Sequence, residues 1–166
     1  PRPNGYWRED PRPGSGIFYD LGSHLIDQAL YFFGMPQAVT AEICSQRPWA
    51  KADDRFDVRL HYPTFTATLK AGMLCRIPGS TYLIHGTKGS YVKYGLDVQE
   101  ENLDKGAIPN TNDWGREPES IWGTIHTEFE GVKIQGKVES KNGDYREYFI
   151  NLRDAIWGKA ELAVKP

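Results

Sequence analysis

The segment from residue 14 to residue 34, GSGIFYDLGSHLIDQALYFFG, constrains the fold most, because it combines a helical period with signals for both helix ends. Ser15 is a candidate N-cap, Gly34 is a candidate C′ glycine, and Pro36 soon after it cannot continue a helix. At about 100° per residue, the apolar side chains fall in one sector of this helix. We therefore predict an amphipathic helix that packs through Phe18, Leu21, Leu25, Ala29, Phe32 and Phe33.

The opposite sector of this helix is polar and holds Asp20, Ser23, His24, Asp27 and Tyr31. Asp20 and His24 lie one turn apart, roughly 6 Å along the axis, so they can contact each other or bind one small ligand. An imidazole beside carboxylates suits general acid–base work. The same pair would also stabilise a solvent-facing helix by about 0.2 to 0.5 kcal/mol without any further function. The spacing alone leaves both interpretations open.

Composition narrows the class of protein. The 166 residues are 39% hydrophobic, enough for one globular domain that buries about two-thirds of its unfolded surface. The formal net charge is -2 without a basic run, so nucleic acid is not expected as a partner. No apolar run approaches the roughly 18 residues of a membrane span, and the first ten residues lack signal-peptide regions, which predicts a cytoplasmic protein with no membrane partner. Cys44 and Cys75 stand apart from any CxxC or Cys/His array, which predicts buried thiols.

Alternating segments rich in β-branched and aromatic residues follow the helix and predict antiparallel strands. The predicted strands are 38–46, 55–62, 65–77, 81–85, 90–94, 122–129 and 132–140, with a short polar helix over 97–105, a long loop over 107–120 and a last helix over 145–158. This order predicts the α+β class, with an open, mostly antiparallel β-sheet that carries helices on one face. Because the strands contain more apolar positions than two helices can cover, we expect a homo-oligomer through the open sheet face.

Four segments in order resemble one family of enzymes. They are WRE at 7–9, GSGIFYDLGSHLIDQALYFFGMPQAV from Gly14, HGTKGSYVKYGLDVQE from His85 and GDY at 143–145. Together they are similar to the C-terminal domain of the Gfo/Idh/MocA oxidoreductases, in the branch that contains scyllo-inositol dehydrogenase-like NADP-dependent enzymes. Long matched segments over nearly the whole chain are far more specific than a lone Asp-x-x-x-His pair.

The resemblance implies roles for the polar sector of the helix. Asp20 and His24 would border the substrate beside the nicotinamide ring of NADP or NAD. His24 would assist proton transfer at the oxygen of an inositol-like sugar or polyol, Asp20 would orient that substrate, and Asp27 would support the helix. Polar groups near a helix-borne site can line its cleft, although ordinary surface positions explain them equally well. The weaker candidates of this kind are Arg8, Lys93 and Tyr94.

The chain also departs from what such an enzyme needs. A Glu-Lys-Pro motif, whose lysine completes the site in this family, does not occur, and Gly14-Ser15-Gly16 lacks the third glycine and preceding strand of a dinucleotide fingerprint. We therefore expect a Rossmann domain and a final helix outside the 166 residues, which form one substrate-binding and oligomerisation domain. We expect no cofactor on this chain alone, and no turnover from it.

Two other functions remain open. Asp20, His24 and Asp27, at positions i, i+4 and i+7, could bind Mn²⁺ or Zn²⁺ in a metal-dependent hydrolase or isomerase. The domain could instead be a non-catalytic assembly module, on which the polar sector is incidental. Metal binding requires the three side chains to converge on one ion, whereas the assembly module predicts that replacing His24 leaves turnover unchanged.

Overall fold

A computed structural model describes residues 7–165, which divide between Ile77 and Pro78 into two compact units. The first unit contains a 3₁₀ turn (Trp7–Glu9), a π-helical turn (Phe18–Gly22), helix α1 (Ser23–Phe33) and strands β1 (Ala38–Cys44), β2 (Arg55–His61) and β3 (Thr66–Gly72). The second unit contains β4 (Tyr82–Gly86), β5 (Gly89–Lys93), α2 (Gln99–Asp104), a 3₁₀ turn (Glu119–Ile121), β6 (Gly123–Phe129), β7 (Val132–Val138) and α3 (Arg146–Ile156).

The first unit is an antiparallel sheet, in the order β1-β2-β3, that packs against the helix. Alternate residues of β2 face the helix, and Phe56, Val58 and Leu60 are 1%, 2% and 3% exposed. The helical segment contributes Ile17, Phe18, Leu25 and Ala29 to this core. The other face of the sheet is polar, and there Asp57 pairs with Lys70 at 2.9 Å. The sheet thus has one apolar face, which is covered at β2 and exposed at Val39 and Ile43 of β1, and one charged face.

The second unit contains a four-stranded antiparallel sheet, in the order β4-β5-β6-β7. Glu130 and Gly131 have φ values of 48° and 79°, as a tight hairpin turn between β6 and β7 requires. Tyr91 lies opposite Ile84 and Ile125 in the register, so these side chains share one face. We call this the apolar sheet face; its members are Tyr82, Ile84, Tyr91, Ile125, Phe129, Val132, Ile134 and Val138.

Gln99 organises the packing of the second unit and is 0% exposed. Its side-chain oxygen accepts hydrogen bonds from Trp114 Nε1 at 2.8 Å and from the Tyr145 N–H at 2.9 Å. Its side-chain nitrogen donates to Asp97 at 3.0 Å. Because a buried amide needs partners for both of its polar atoms, these contacts fix the start of α2 against the long loop and the start of α3.

The predicted α+β class with antiparallel strands is confirmed, and the predicted helices and strands are present. Most bounds differ by one or two residues, but the strand predicted over 65–77 ends five residues early, at Gly72. The strands form two sheets because β3 ends at Gly72, whose carbonyl accepts a hydrogen bond from the Cys75 N–H at 3.4 Å in a turn. The prediction of buried thiols is wrong for Cys75, which is exposed after this turn, while Cys44 is partly buried. Within residues 7–165, no helix has the length and apolar character needed to cross a membrane.

Candidate functional site

The helix of the candidate site begins later than predicted, and Ser15 does not cap it. Ser15 is buried, and its hydroxyl donates to the Arg12 carbonyl at 2.6 Å in the turn before the helix. The cap comes from Asp53, whose carboxylate accepts from the Phe18 N–H at 2.7 Å and whose carbonyl accepts from the Ile17 N–H at 3.0 Å. The prediction is wrong because the capping group lies 35 positions away in the sequence, beyond any local pattern.

The first turn of this helix, Phe18–Gly22, is π-helical. A π-helical turn closes with i→i+5 hydrogen bonds, so it shifts the helix face by one residue, or about 100°, relative to a continuous α-helix. Leu21, predicted on the packing side, is accordingly 44% exposed, whereas Leu25 packs in the core. Phe32, in the last turn, is 56% exposed and also departs from the predicted packing side. Single π-helical turns occur frequently at functional sites.

The structure brings together two of the predicted site residues, Arg8 and Asp20. Arg8 Nε lies 2.8 Å from Asp20 Oδ2, and the two side chains are 44% and 29% exposed. An exposed ion pair of this kind contributes about 0 to 1 kcal/mol to stability. The contact therefore orients the Asp20 carboxylate more than it stabilises the fold.

His24 and Asp27 lie on α1 and are both exposed, so the imidazole is open to a ligand. Together with Asp20 they do not gather as metal ligands: within residues 7–165, no group of three or more His, Cys, Asp or Glu side chains is arranged to hold a metal ion. The metal-dependent hydrolase or isomerase alternative has no support in this geometry.

A chain of ion pairs, Asp54–Arg47–Glu9, is buried at Asp54 and Arg47 and 21% exposed at Glu9, the residue next to Arg8. Arg47 Nε donates to Asp54 Oδ2 at 2.7 Å, and Arg47 Nη1 donates to Glu9 Oε1 at 3.1 Å. The Arg47 and Asp54 side chains are 5% and 1% exposed. Burial raises the pKa of Asp54, but hydrogen bonds from the N–H groups of Gln46 and Arg47 and from the guanidinium outweigh it, so this pKa lies below its ordinary value. We call Asp54, Arg47 and Glu9 the buried ion-pair chain.

The start of the helix does not fit the phosphates of a nucleotide cofactor. A phosphate at a helix N-terminus binds backbone N–H groups that have no other acceptor. Here the Gly16 N–H donates to the Arg8 carbonyl at 2.8 Å. The N–H groups of Ile17 and Phe18 donate to Asp53. Residues 14–18 therefore do not form a pyrophosphate site for NADP or NAD.

Lys93 and Tyr94, the other predicted substrate contacts, lie at the end of β5 in the second unit. Lys93 is 8% exposed, and its ammonium contacts the Glu117 carboxylate, the Ile121 carbonyl at 2.8 Å and the Ser140 hydroxyl at 3.3 Å. Tyr94 is 58% exposed. The contacts of Lys93 favour a structural role, and the assignment of both residues to the substrate stays a prediction.

A cavity of about 570 Å³ lies within the second unit, around the long loop that follows α2. Trp114, Arg116, Glu117 and Trp122 are among the residues that line it. Lys93 and Tyr94 are not lining residues, although Glu117 connects the cavity to the buried Lys93 ammonium. The lining residues of the cavity belong to the second unit, whereas Arg8 and Asp20 belong to the first.

The sequence patterns did not indicate the polar contacts made by the neighbours of Arg8 and Asp20, namely those of Glu9, Arg47, Asp53 and Asp54. A buried arginine in a polar loop has no periodicity that could reveal it. The one local signal is the Asp-Asp pair directly before β2, because adjacent carboxylates at a strand start are well placed to accept backbone N–H groups.

Comparisons with known proteins agree with the fold. The family model described as "Oxidoreductase family, C-terminal alpha/beta domain" matches residues 1–166. The uncharacterized oxidoreductase YdgJ of Escherichia coli (strain K12) is 39% identical over 165 residues, which cover 99% of this chain and 47% of YdgJ. The scyllo-inositol 2-dehydrogenase (NADP(+)) IolW of Bacillus subtilis (strain 168) is 38% identical over 164 residues, which cover 99% of this chain and 46% of IolW.

Solved structures show the same similarity. The oxidoreductase YvaA from Bacillus subtilis superposes with a TM-score of 0.90 at 36% sequence identity, over 99% of this chain and 46% of that one. The oxidoreductase YPO2259 from Yersinia pestis gives a TM-score of 0.85 at 36% identity, over 96% of this chain and 44% of that one. The chain spans about half the length of the curated relatives it matches.

Proposed function

The chain belongs to the Gfo/Idh/MocA oxidoreductase family as its C-terminal α/β domain, and from this premise we propose that it is the substrate-binding and oligomerisation domain of an NADP- or NAD-dependent dehydrogenase. The reaction is hydride transfer between the nicotinamide cofactor and a sugar or polyol. The observation that carries this proposal is the Arg8–Asp20 contact on a π-helical turn, one turn before an exposed His24.

In this proposal the chain handles the hydroxyl group of the substrate. His24 takes the hydroxyl proton during alcohol oxidation and returns it during carbonyl reduction, which is the work of a general acid–base. Asp20, held by Arg8, accepts a hydrogen bond from a neighbouring hydroxyl and so orients the substrate. Asp27 supports the helix. The cofactor, which supplies the hydride chemistry, is held by a Rossmann domain outside these residues, because residues 14–18 do not fit its phosphates.

The substrate class follows from the similarity to IolW, whose name states an NADP-linked reaction on scyllo-inositol. A cyclic polyol presents adjacent hydroxyl groups, which suits a carboxylate and an imidazole one helical turn apart. We therefore propose an inositol-like sugar or polyol, with NADP tested before NAD.

We also propose that a second copy of the protein covers the apolar sheet face. Ile84 and Ile134 are each 45% exposed, Val132 is 62% exposed and Phe129 is 66% exposed. Apolar side chains that share one sheet face and stay exposed are typical of an interaction surface. The cytoplasmic location stays a prediction from the sequence.

The test is steady-state kinetics of the full-length protein with scyllo-inositol and other polyols, using NADP and NAD. We expect His24→Ala to lower kcat by roughly two to four orders of magnitude, because it removes the general acid–base. We expect Asp20→Asn to act mainly on KM. The control is His126→Ala, which removes another exposed histidine, on β6 in the second unit, and should leave kcat unchanged.

Two results would overturn the proposal. A His24→Ala protein with the wild-type kcat would support the non-catalytic assembly module instead. Turnover by the 166-residue chain alone would contradict the assignment of the cofactor to residues outside it.

A further inference from the structure

The Arg8–Asp20 contact needs support from elsewhere in the fold, because an exposed ion pair does not fix its own geometry. Its two side chains are 44% and 29% exposed, and a pair of this kind is worth about 0 to 1 kcal/mol. An ion pair of so little free energy does not by itself hold the carboxylate in one arrangement in solvent. A defined position for Asp20 therefore depends on how firmly the two backbone segments are held.

The segment of Arg8 is held through its neighbour Glu9. Glu9 Oε1 accepts a hydrogen bond from Arg47 Nη1 at 3.1 Å, while Glu9 Oε2 is buried without a partner within residues 7–165. Arg47 is held in turn by Asp54, which is 1% exposed. The Asp54 carboxylate also accepts hydrogen bonds from the backbone N–H groups of Gln46 at 2.7 Å and Arg47 at 3.1 Å. Every member of the buried ion-pair chain is thus tied, directly or through a partner, to the loop before β2.

The segment of Asp20 is held by the residue adjacent to Asp54 in the sequence. Asp53 binds the N–H groups of Ile17 and Phe18 at the start of the π-helical turn. The two neighbouring aspartates therefore support the two sides of one contact: Asp53 fixes the turn that carries Asp20, and Asp54 acts through Arg47 and Glu9 on the turn that carries Arg8.

Stability alone does not explain this arrangement. Replacing a buried ion pair by apolar residues of similar volume is often neutral or stabilising, and an unpartnered buried oxygen such as Glu9 Oε2 adds a cost of about 1–3 kcal/mol. In some proteins a chain of this kind contributes geometric specificity instead of stability.

We propose that Glu9, through the buried ion-pair chain, is a positioning residue that sets the orientation of the Asp20 carboxylate by fixing Arg8. The kinetic part of this inference rests on the proposed function, since it takes Asp20 as the group that orients the substrate. The structural part does not require any substrate.

The test compares Glu9→Ala with Glu9→Gln in the full-length protein. Glu9→Ala removes the acceptor for Arg47, so we expect the crystal structure to show Arg8 Nε more than about 3.5 Å from Asp20, beyond hydrogen-bond distance, and KM for the polyol to rise roughly tenfold, with a smaller change in kcat. Glu9→Gln keeps an acceptor oxygen for Arg47 and should retain both the contact and the wild-type KM. The matched control is Glu42→Ala, which removes the 2.6 Å pair with Arg55 in the same unit and should change neither.

A double-mutant cycle separates positioning from a general loss of stability. If Glu9 acts through Arg8, Glu9→Ala should have no further effect on KM in an Arg8→Met background. Full additivity, or an unchanged Arg8–Asp20 distance in the Glu9→Ala crystal structure, would overturn the inference. If Glu9→Ala is insoluble, Glu9→Asp, which withdraws the carboxylate by one methylene, is judged by the same criteria. A displaced Arg8 in a protein that oxidises no polyol would leave the positioning role standing and reject the proposed function.

Discussion

At the scale of single residues, Asp54 should be the acid on which the first unit depends most. Asp54→Asn removes the charged partner of Arg47 Nε and leaves the buried guanidinium with the Glu9 carboxylate alone, and removing one partner of a buried pair costs about 3–5 kcal/mol. We expect the free energy of unfolding of the full-length protein in urea to fall by this order at neutral pH. The control Glu101→Gln breaks a pair whose Lys105 and Glu101 side chains are 67% and 69% exposed, so the denaturation midpoint should not change. Equal midpoints for both variants and the wild type would contradict the role of Asp54.

The destabilisation by Asp54→Asn should also depend on pH in one direction. The pKa of Asp54 in the folded protein lies below the value of about 3.9 that an unfolded chain shows, so the unfolded state binds more protons in acid. This stabilisation is present above that unfolded value and is lost as the pH falls through it toward the folded pKa. The stability gap between wild type and Asp54→Asn should therefore narrow from neutral pH to about pH 3.5. If the difference in unfolding free energy between wild type and Asp54→Asn grew in acid, the pKa of Asp54 would not be lowered by folding.

At the scale of elements, the start of the helix depends on Gly16. It has φ +93°, and a Cβ there would lie 2.0 Å from an oxygen of the Asp53 carboxylate. Gly14 has a similar φ of +85°, but a Cβ there would meet nothing within 4 Å. An alanine at either position adds the cost of left-handed backbone, about 1–2 kcal/mol. Gly16→Ala should lower the free energy of unfolding by roughly 1 kcal/mol more than Gly14→Ala does, because it also displaces the Asp53 carboxylate from the Phe18 N–H.

Urea denaturation of the two alanine variants checks this prediction, with Asp53→Ala as the third arm. Asp53→Ala removes the carboxylate, which is both the acceptor of the Phe18 N–H and the group that the new methyl group would strike, and it keeps the carbonyl that accepts from the Ile17 N–H. In that background we expect Gly16→Ala to cost about as much as Gly14→Ala does in the wild type. If Gly14→Ala and Gly16→Ala are equally destabilising in the wild type, Asp53 does not define the helix start.

The elements could be predicted from the sequence wherever their cause is local. The tight turn at Glu130 and Gly131 and the alternation in β2 depend on neighbouring residues, and the structure has both. The start of the helix could not be predicted, because Asp53 caps it across 35 positions. The π-helical turn was missed for another reason: a period of 3.6 residues assigns Leu21 to the packing side without any sign of the shift.

In the candidate site, too, the residues with a local pattern could be predicted and those that depend on distant contacts could not. Asp20 and His24 stand out in the sequence because the helical period places them one turn apart. Arg8 entered as a weaker candidate, and only the tertiary structure puts it 2.8 Å from Asp20. Glu9 and Arg47 lie 38 positions apart, and a contact at that distance follows from the fold of the loop before β2 rather than from any pattern in the sequence.

At the scale of the whole molecule, the distinctive surface is the apolar sheet face, which neither α2 nor α3 of the same unit covers. The register alternates along β7, so Ile134 belongs to this face and its neighbour Gln135 to the opposite, polar one. Two adjacent residues on one strand thus offer a matched pair of substitutions. A glutamate at position 134 lies on the apolar face, and a glutamate at position 135 lies on the polar face.

We expect the full-length protein to be a dimer or a higher oligomer by light scattering, and Ile134→Glu to dissociate it. A carboxylate in an apolar interface loses its hydration without gaining a partner, at a cost of several kcal/mol. Since about 1.4 kcal/mol corresponds to tenfold in a dissociation constant, this Kd should rise by at least roughly 100-fold. Gln135→Glu introduces the same side chain on the polar face and should leave the assembly intact. A monomeric wild type, or an Ile134→Glu protein that stays assembled while Gln135→Glu dissociates, would place the interface on another surface.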